Sequence, residues 1–395
     1  MRSVPALWTS PGQAIAYITI ILCAIGTVNI FSASFVTASK EWQDSYFYLK
    51  RHAFTMVIGF VALWVAASLD YHRSKWIVPL ALGATLATLS MVPFIGIEAN
   101  GARRWLNLGI SFQPSELAKL AAVMSSAVYL GWQMDKGKNI TFLSWPFLAT
   151  GLMAGLIYIQ PDMGTAVVVV ALCMGVYILA GAPFKQWASM IAGGVVLAGL
   201  MVLAAPYRKH RVESWLNPWN YEQDSGYQAV QSLLAIGSGG LTGTGLGKGA
   251  SKFFYLPEAH TDFAFAVLSQ EWGYMGALAV LGLFLLIGWY GLQIALKAPD
   301  NYGVLLAGGV TFLIVGQAVG NMAMVCGLLP VTGVPLPFIS FGGTALVVNL
   351  AATGVLISVG RNRTNNPPLS EPEPLAEGLA DRRKERQRLR LVRKV

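Results

Sequence analysis

The acidic residues with the clearest chemical potential lie at the ends of long apolar runs. Asp262 follows Glu258 and His260 in the segment Leu256-Pro-Glu-Ala-His-Thr-Asp-Phe263, directly before such a run. A carboxylate at a boundary between water and lipid is partly desolvated, which raises its pKa and favours a role as general base. The alternative is that Glu258, Thr261 and Asp262 cap the first turn of a helix. Glu258, His260 and Asp262 could also share a divalent cation, Mg²⁺ or Mn²⁺, with a pyrophosphate.

Two other carboxylates and a lysine have similar positions. Glu116 and Lys119 are three residues apart, so they share one face of a helix. They either neutralise each other or line a polar groove in which Lys119 meets an anion. Asp162 follows Gln160-Pro161 at the head of another apolar run, where it either caps a helix or has a functional role. Ionisable groups inside membrane spans are costly and mark functional sites.

Two segments of the sequence are candidate phosphate-binding sites, and only the basic one is retained. The doublet Arg103-Arg104 either anchors at lipid head groups or clamps a lipid-linked phosphate. The Gly-rich stretch 238–249 does not form a P-loop, because Thr242 and Gly249 stand where glycine and serine or threonine are required. We therefore interpret this stretch as flexible backbone near a substrate.

The amino-acid composition indicates that membrane-spanning helices position the candidate residues described above. Of 395 residues, 55% are hydrophobic and 12% are charged, with a net charge of +9, against about 25% charged residues in soluble domains. This excludes a soluble enzyme, and the lack of a folded basic face argues against a nucleic-acid partner. A span needs about 20 apolar residues. The sequence predicts an all-α polytopic membrane protein with about ten spans, at 14–35, 53–69, 76–95, 115–133, 143–159, 163–182, 187–205, 264–296, 303–327 and 338–360.

The remaining segments complete the predicted organisation. A membrane domain covers residues 1–360 and contains a large extracytoplasmic loop, 206–260, between the seventh and eighth spans. Within this loop, residues 227–236 have apolar side chains at near-helical spacing and could lie along the membrane surface. Residues 361–395 form a disordered basic tail. The distribution of lysine and arginine, dominated by that tail, predicts cytoplasmic N- and C-termini.

A series of motifs resembles one family over about residues 12–362. The family is SEDS, which comprises FtsW, RodA and SpoVE, and the division-type FtsW is the most similar branch. The motifs that carry the resemblance are Gly101-Ala-Arg-Arg-Trp-Leu106, Phe112-Gln-Pro-Ser-Glu-Leu-Ala-Lys119, Gln160-Pro-Asp-Met-Gly-Thr165, Gly226-Tyr-Gln228, Leu256-Pro-Glu-Ala-His-Thr-Asp-Phe263 and Leu336-Pro-Phe-Ile-Ser-Phe-Gly-Gly343.

The resemblance implies a peptidoglycan glycosyltransferase that polymerises lipid II at the outer face of the bacterial plasma membrane, at the division septum. Undecaprenyl pyrophosphate would leave, and a class B penicillin-binding protein and other divisome proteins would be the partners. The family's essential acid falls on Asp262, its paired acid and lysine on Glu116 and Lys119, and its Gln-Pro-Asp acid on Asp162. The residues expected to bind substrate are Glu116, Lys119, Arg103, Arg104, Asp162, Glu258 and His260.

Two other classes of function remain open. A lipid II flippase, or another transporter of lipid-linked substrates, would also have many spans and intramembrane charges. It should place its key charge near the membrane midplane and repeat its two halves, whereas Asp262 lies at the edge of a span and the sequence shows no repeat. A non-catalytic scaffold would tolerate replacement of Asp262.

Overall fold

The structure is a computed structural model that describes residues 8, 10–99, 102–107, 111–203, 206–251 and 256–362. These ranges are mainly helical, and a helix covers most of each predicted apolar segment. The first two residues of the predicted tail, Arg361 and Asn362, belong to the last helix, and residues 363–395 lie outside the described residues. The helices are α1 (Pro11–Trp42), α2 (Phe47–Ser68), α3 (Ser74–Ile95), α4 (Pro114–Asp135), α5 (Trp145–Ile159), α6 (Met163–Leu179), α7 (Phe184–Leu203), α8 (Pro206–Leu216), α9 (Tyr227–Gly239), α10 (Ala264–Leu296), α11 (Asn301–Val325) and α12 (Gly343–Asn362).

The helices confirm an all-α polytopic membrane protein. Six of them in the described ranges are long and apolar enough to cross a membrane, namely α1, α2, α3, α10, α11 and α12. Apolar α5 and α6 are shorter, at 15 and 17 residues. The total of about ten spans, and the division of the chain into one membrane domain and a tail, stay predictions.

Helix α4 occupies the centre of the bundle. It packs against α3, α5, α6, α11 and α12, and most of its side chains are buried, including those of Glu116 and Lys119. Charged groups at such a position must be paired, because an isolated buried charge costs several kcal/mol or more. The three-residue spacing of Glu116 and Lys119 in α4 therefore allows the two charges to pair within an otherwise apolar core.

Helix α10 is broken near its first third. Gly273 has φ 70° and ψ −172°, a left-handed φ that favours glycine. The break frees the carbonyls of Gln270 and Glu271, which accept hydrogen bonds of 3.0 and 3.1 Å from the N–H groups of Thr244 and Gly245. The Gly-rich loop therefore serves as a structural cap, and α10 consists of a short segment 264–272 and a long one that follows.

A small antiparallel sheet departs from the purely helical prediction. Its strands are β1 (Ile97–Ala99), β2 (Ala102–Asn107) and β3 (Ser111–Phe112), in the order β1-β2-β3. The register places Arg103 opposite Glu98. The sheet lies between α3 and α4, so it rests on the end of the bundle that also holds the turn before α10.

The predicted large loop contains helix as expected. Helix α9 covers the stretch 227–236, for which the apolar spacing predicted a helix. A short 3₁₀ turn at Pro218–Tyr221 precedes it. The position of α9 relative to a membrane surface stays a prediction.

The described ends of the chain meet on the face opposite this sheet. The Trp8 indole N–H donates to the Tyr290 hydroxyl near the end of α10, at 3.0 Å. The Arg361 guanidinium donates to the Ser68 carbonyl at the end of α2, at 2.7 Å. Since α1 begins where α2, α10 and α12 end, both ends of the described chain share one face of the bundle.

Candidate functional site

A cavity of about 420 Å³ lies at the sheet end of the bundle. Three segments line it: the sheet with the residues before α4, the turn before α10, and the segment that leads into α12. It brings Asp262 together with two other predicted residues, Glu258 and Arg104. The remaining lining residues are Ile97, Ala102, Trp105, Ser111, Gln113, Thr261, Gly333, Pro335, Phe341, Gly342, Gly343, Thr344 and Ala345.

Asp262 lies in the turn immediately before α10 and is partly buried. Its backbone carbonyl accepts a hydrogen bond of 2.8 Å from the Asn321 side-chain amide. Across the cavity, a Cβ added to Gly333 would lie 3.4 Å from Asp262 Oδ2, and Gly333 has φ 70°. A larger residue at 333 would be strained and would crowd the carboxylate, so this glycine keeps the space beside Asp262 open.

The surroundings of Asp262 raise its pKa to about 7. Desolvation is the largest cause, and the nearby carboxylates of Glu258 and Asp162 act in the same direction. The Arg104 guanidinium opposes them and lowers the pKa. The carboxyl group is therefore close to its titration midpoint at neutral pH, as a general base should be.

Glu258 is fixed beside Asp262 by the turn itself. It has φ 53°, and its carbonyl accepts from the N–H groups of Thr261 and Phe263 at 3.1 and 3.2 Å. The Thr261 hydroxyl donates to Glu258 Oε2 at 2.6 Å. These bonds point to a rigid turn that presents two carboxylates to one cavity.

His260 is placed differently from the prediction. Its ring lies 4.5 Å from the Tyr48 ring and 5.8 Å from the Phe341 ring, and burial lowers its pKa. Within the described ranges no group of three or more His, Cys, Asp or Glu side chains is arranged to hold a metal ion. Glu258, His260 and Asp262 thus do not assemble the shared cation site that the sequence suggested, because His260 packs among aromatic rings.

The two arginines of the doublet separate. Successive residues of a strand point to opposite faces, so Arg104 lines the cavity while Arg103 is exposed and pairs with Glu98 at 3.4 Å. Arg104 Nε donates to the Gln160 carbonyl at 3.3 Å, and its Nη2 donates to the Pro161 carbonyl. Of the two arginines, Arg104 lines the cavity and Arg103 is not among its lining residues, and substrate binding by either stays a prediction.

Asp162 caps α6, as the structural alternative predicted. Its Oδ1 accepts from the Thr165 N–H at 3.2 Å, and its Oδ2 accepts from Gln113 Nε2 at 3.4 Å. Gln113 lines the cavity, whereas Asp162 is buried behind it. Asp162 thus acts on the cavity through Gln113 and through its charge.

Glu116 and Lys119 form a buried ion pair away from the cavity lining. Lys119 Nζ lies 2.8 and 2.7 Å from the two carboxylate oxygens of Glu116. It also donates to Gln317 Oε1 at 3.0 Å, and Gln317 Nε2 donates to the Pro335 carbonyl at 2.9 Å. This is the self-neutralising pair that the spacing of the two residues offered as one alternative, and it ties α4 and α11 to the cavity wall. A contact between Lys119 and an anion stays a prediction.

Asn321 is a residue of the site that the sequence analysis missed. Its Nδ2 donates to the carbonyls of Asp262 and Val334, each at 2.8 Å, and the side chain is buried. It therefore holds the turn that carries Asp262 against the opposite wall of the cavity. The available signal was a pair of amide side chains, Gln317 and Asn321, four residues apart inside an apolar run.

A family model described as "Cell cycle protein", of FtsW, RodA and SpoVE, matches residues 13–365. This match covers most of the chain. The chain belongs to the FtsW/RodA/SpoVE family. The family resemblance stated from the motifs is thereby confirmed.

Curated members of the FtsW/RodA/SpoVE family are similar over most of their length. A protein of Geobacter sp. (strain M18) named "Probable peptidoglycan glycosyltransferase FtsW" is 42% identical over 346 residues, which are 86% of this chain and 94% of that protein. "Stage V sporulation protein E" of Bacillus subtilis (strain 168) is 41% identical over 364 residues, 89% of this chain and 98% of that protein.

Solved structures of the family share the fold. The rod shape determining protein RodA of Thermus thermophilus is 29% identical with a TM-score of 0.64, covering 92% of this chain and all (100%) of that one. A chain of a peptidoglycan synthase complex, solved to explain how polymerization and crosslinking are coordinated, is 28% identical with a TM-score of 0.73, covering 91% and 100%. The membrane-protein fold class predicted from the sequence is thereby confirmed.

Proposed function

We propose that this family member is a peptidoglycan glycosyltransferase that polymerises lipid II into glycan strands during septal wall synthesis. The observation that carries the proposal is Asp262, whose pKa lies near neutrality in a cavity that it shares with Arg104. The curated relatives named as probable peptidoglycan glycosyltransferases support it.

Asp262 would act as general base. Its carboxylate accepts the proton of the 4-hydroxyl of the GlcNAc of an incoming lipid II, and that oxygen bonds to the anomeric carbon of the terminal MurNAc of the growing strand. The bond from this carbon to the pyrophosphate breaks, and undecaprenyl pyrophosphate leaves with the bonding electrons. Attack on one face inverts an α-linked donor to a β-1,4 bond. One carboxylate suffices because pyrophosphate leaves readily, unlike the sugar in glycoside hydrolysis.

Arg104 would stabilise the negative charge that develops on the leaving pyrophosphate. It lines the same cavity as Asp262 and is held by backbone carbonyls at residues 160 and 161, so its guanidinium is positioned before substrate arrives. Lys119 and Glu116 would support the site by fixing Gln317 and hence the wall at Pro335. Glu258 would tune the basicity of Asp262 through its charge.

The cavity would face the outside of the bacterial plasma membrane. The described ends of the chain lie on the opposite face, which supports cytoplasmic N- and C-termini. A lipid-linked saccharide could then keep its prenyl tail in the bilayer while its sugars reach Asp262. We further propose a class B penicillin-binding protein and other divisome proteins as partners, consistent with similarity to a chain of a synthase complex that couples polymerization to crosslinking.

A divalent cation, Mg²⁺ or Mn²⁺, is proposed as an additional component. It would be bound chiefly by the oxygens of the substrate's pyrophosphate and by water, because Mg²⁺ commonly retains water and binds substrate phosphates. When bound, it would neutralise part of the pyrophosphate charge.

Gel analysis of lipid II polymerisation tests the proposed function. The full chain, purified with a class B partner whose transpeptidase is inactivated, should make strands, and Asp262→Asn should lower the rate by about 10²–10⁴. Asp224→Asn is the matched control, since Asp224 lies in the loop with a side chain 76% exposed. A wild-type protein that moved lipid II across vesicles without forming strands would instead identify a transporter.

A further inference from the structure

A run of five rings connects the cavity to the surface beside it. Phe341 lines the cavity, and its ring lies 5.3 Å from that of Tyr48. The His260 ring is 4.5 Å from the Tyr48 ring, and the Phe47 ring is 5.3 Å from the Tyr48 ring. Trp42 stacks on Phe47 with 4.2 Å between centroids and 7° between planes. We call these five residues the aromatic run.

The outer end of the run is open. Trp42 ends α1 and is 53% exposed. Because one face of its indole stacks on Phe47, the exposed part of the ring system includes the other face. The run therefore ends in an accessible flat surface, and its inner end is a wall of the cavity.

Polar groups border the rings along the run. The Tyr48 hydroxyl donates to Glu41 Oε2 at 3.2 Å, and the Arg51 guanidinium carbon lies 4.8 Å from the centroid of Phe47. Because Arg51 lies over one face of Phe47 and Trp42 over the other, the exposed indole face of Trp42 is the flat apolar surface left for the C–H face of a sugar. The Glu41 carboxylate and the Tyr48 hydroxyl lie beside the run, where they match the hydroxyls at the edge of a sugar. The alternative role for these rings is to anchor the protein at the membrane surface, which requires only an amphipathic ring at head-group level. That role does not explain why the rings form a continuous path to the cavity.

We infer that the aromatic run is a carbohydrate-binding subsite that holds sugar units of the growing glycan strand outside the Asp262 cavity. This inference rests on the proposed function. Each transfer lengthens the strand by sugars that must leave the cavity while the reacting end stays there, and the run begins at the cavity wall. Burial lowers the pKa of His260, which favours the neutral form of a ring that packs against its aromatic neighbours.

Strand length in lipid II polymerisation tests the subsite. Loss of one stacking ring should raise dissociation of the strand, so Trp42→Ala should shorten the mean strand by about threefold to tenfold, a larger effect than on lipid II consumption. Trp42→Phe retains a ring and should restore most of the length. Trp219→Ala is the matched control, because Trp219 is 55% exposed on the loop outside the run. Unchanged strand length in Trp42→Ala would overturn the inference.

A binding measurement separates this inference from the proposed activity. β-1,4-linked GlcNAc oligomers are titrated calorimetrically into the full chain carrying Asp262→Asn, which removes the proposed base and keeps the aromatic run. Binding should be weakened about threefold to tenfold by adding Trp42→Ala, and not by adding Trp219→Ala. Equal affinity with and without Trp42 would overturn the subsite even if polymerisation is observed. A length defect that arises only with the partner present would assign Trp42 to a protein interface instead and would also overturn it.

Discussion

Asn321 of α11 donates to the backbone carbonyl of Asp262 at 2.8 Å, although the two residues are 59 positions apart in the chain. The same amide group donates to the Val334 carbonyl, also at 2.8 Å. One buried side chain thus joins the turn that carries the proposed base to the segment that forms the facing wall. The position of Asp262 depends on α11 as much as on its own helix.

Replacement of Asn321 should impair catalysis more than binding. Asn321→Ala removes the donor from a buried hydrogen bond to Val334 and from a partly buried one to Asp262, which costs about 1–3 kcal/mol. The resulting displacement of Asp262 should lower kcat by about tenfold to 100-fold, with a smaller change in KM. Asn321→Asp keeps the shape and loses the donor, so it should resemble Asn321→Ala. Asn301→Ala, on the opposite face where Asn301 bonds to Asp135, is the control, and equal effects on kcat and KM would contradict the positioning role.

The pH dependence of polymerisation should reflect the pKa of Asp262. The base acts when deprotonated, so kcat/KM should rise with pH through a midpoint at about 7. Glu258 raises this pKa and Arg104 lowers it. Glu258→Gln should therefore move the acid limb to lower pH, and Arg104→Gln should move it to higher pH and lower the plateau. Initial rates of strand formation measured around neutrality check the opposite signs, and shifts in one common direction would contradict the assignment.

The helices were predictable because lipid imposes a simple rule. Backbone groups in hydrocarbon must bond within their own segment, so long apolar runs become helices wherever they occur. The sheet at Ile97–Phe112 was not predictable in this way, since its strands are too short to show a periodic pattern. That omission hid the separation of Arg103, which is exposed, from Arg104, which is half-buried in β2 and lines the cavity.

The site residues that belong to local sequence motifs could be predicted, whereas those brought to the site from distant positions by the fold could not. Asp262, Glu258 and Arg104 share a cavity, as their types and positions suggested. Asn321 has partners 59 and 13 positions away, so no local spacing could indicate it. The spacing of Glu116 and Lys119 already allowed a self-neutralising pair, whereas the contact with Gln317 appears only when α4 packs against α11.

The buried pair of Glu116 and Lys119 should behave as a structural unit. Removing one partner leaves an uncompensated buried charge, so Glu116→Gln or Lys119→Met should cost about 3–5 kcal/mol of stability. The double variant removes both charges and should recover most of this loss. Thermal unfolding in detergent measures both effects.

An exposed pair provides the comparison for Glu116 and Lys119. Lys50 and Asp44 lie 2.8 Å apart with side chains 69% and 37% exposed, so Lys50→Met should cost only about 0–1 kcal/mol.

The double variant of the buried pair should also retain measurable polymerisation if the pair acts only by positioning. A stable double variant without any activity would assign Lys119 a direct contact with substrate.

The proposed cation can be tested by its removal. If Mg²⁺ or Mn²⁺ neutralises the pyrophosphate, a chelator should lower the rate of polymerisation, and added Mg²⁺ should restore it. Because the cation would be bound mainly by substrate oxygens, the thermal stability of the substrate-free protein should not change on chelation. Full activity in the presence of chelator would exclude the cation, and a loss of stability would indicate a resident metal site in the protein.

Gly273 should be required for the orientation of the short segment that follows Asp262. Its φ is 70°, and an added Cβ would clash with the Gly243 nitrogen, so Gly273→Ala should cost about 1–3 kcal/mol. Gly282→Ala is the matched control in the same helix, because a Cβ there meets nothing within 4 Å and alanine favours the helix. Since the loop 240–245 caps the break, relaxation at Gly273 should rotate the segment 264–272 and reduce strand formation. Wild-type activity and stability in Gly273→Ala would show that the break in α10 does not position Asp262.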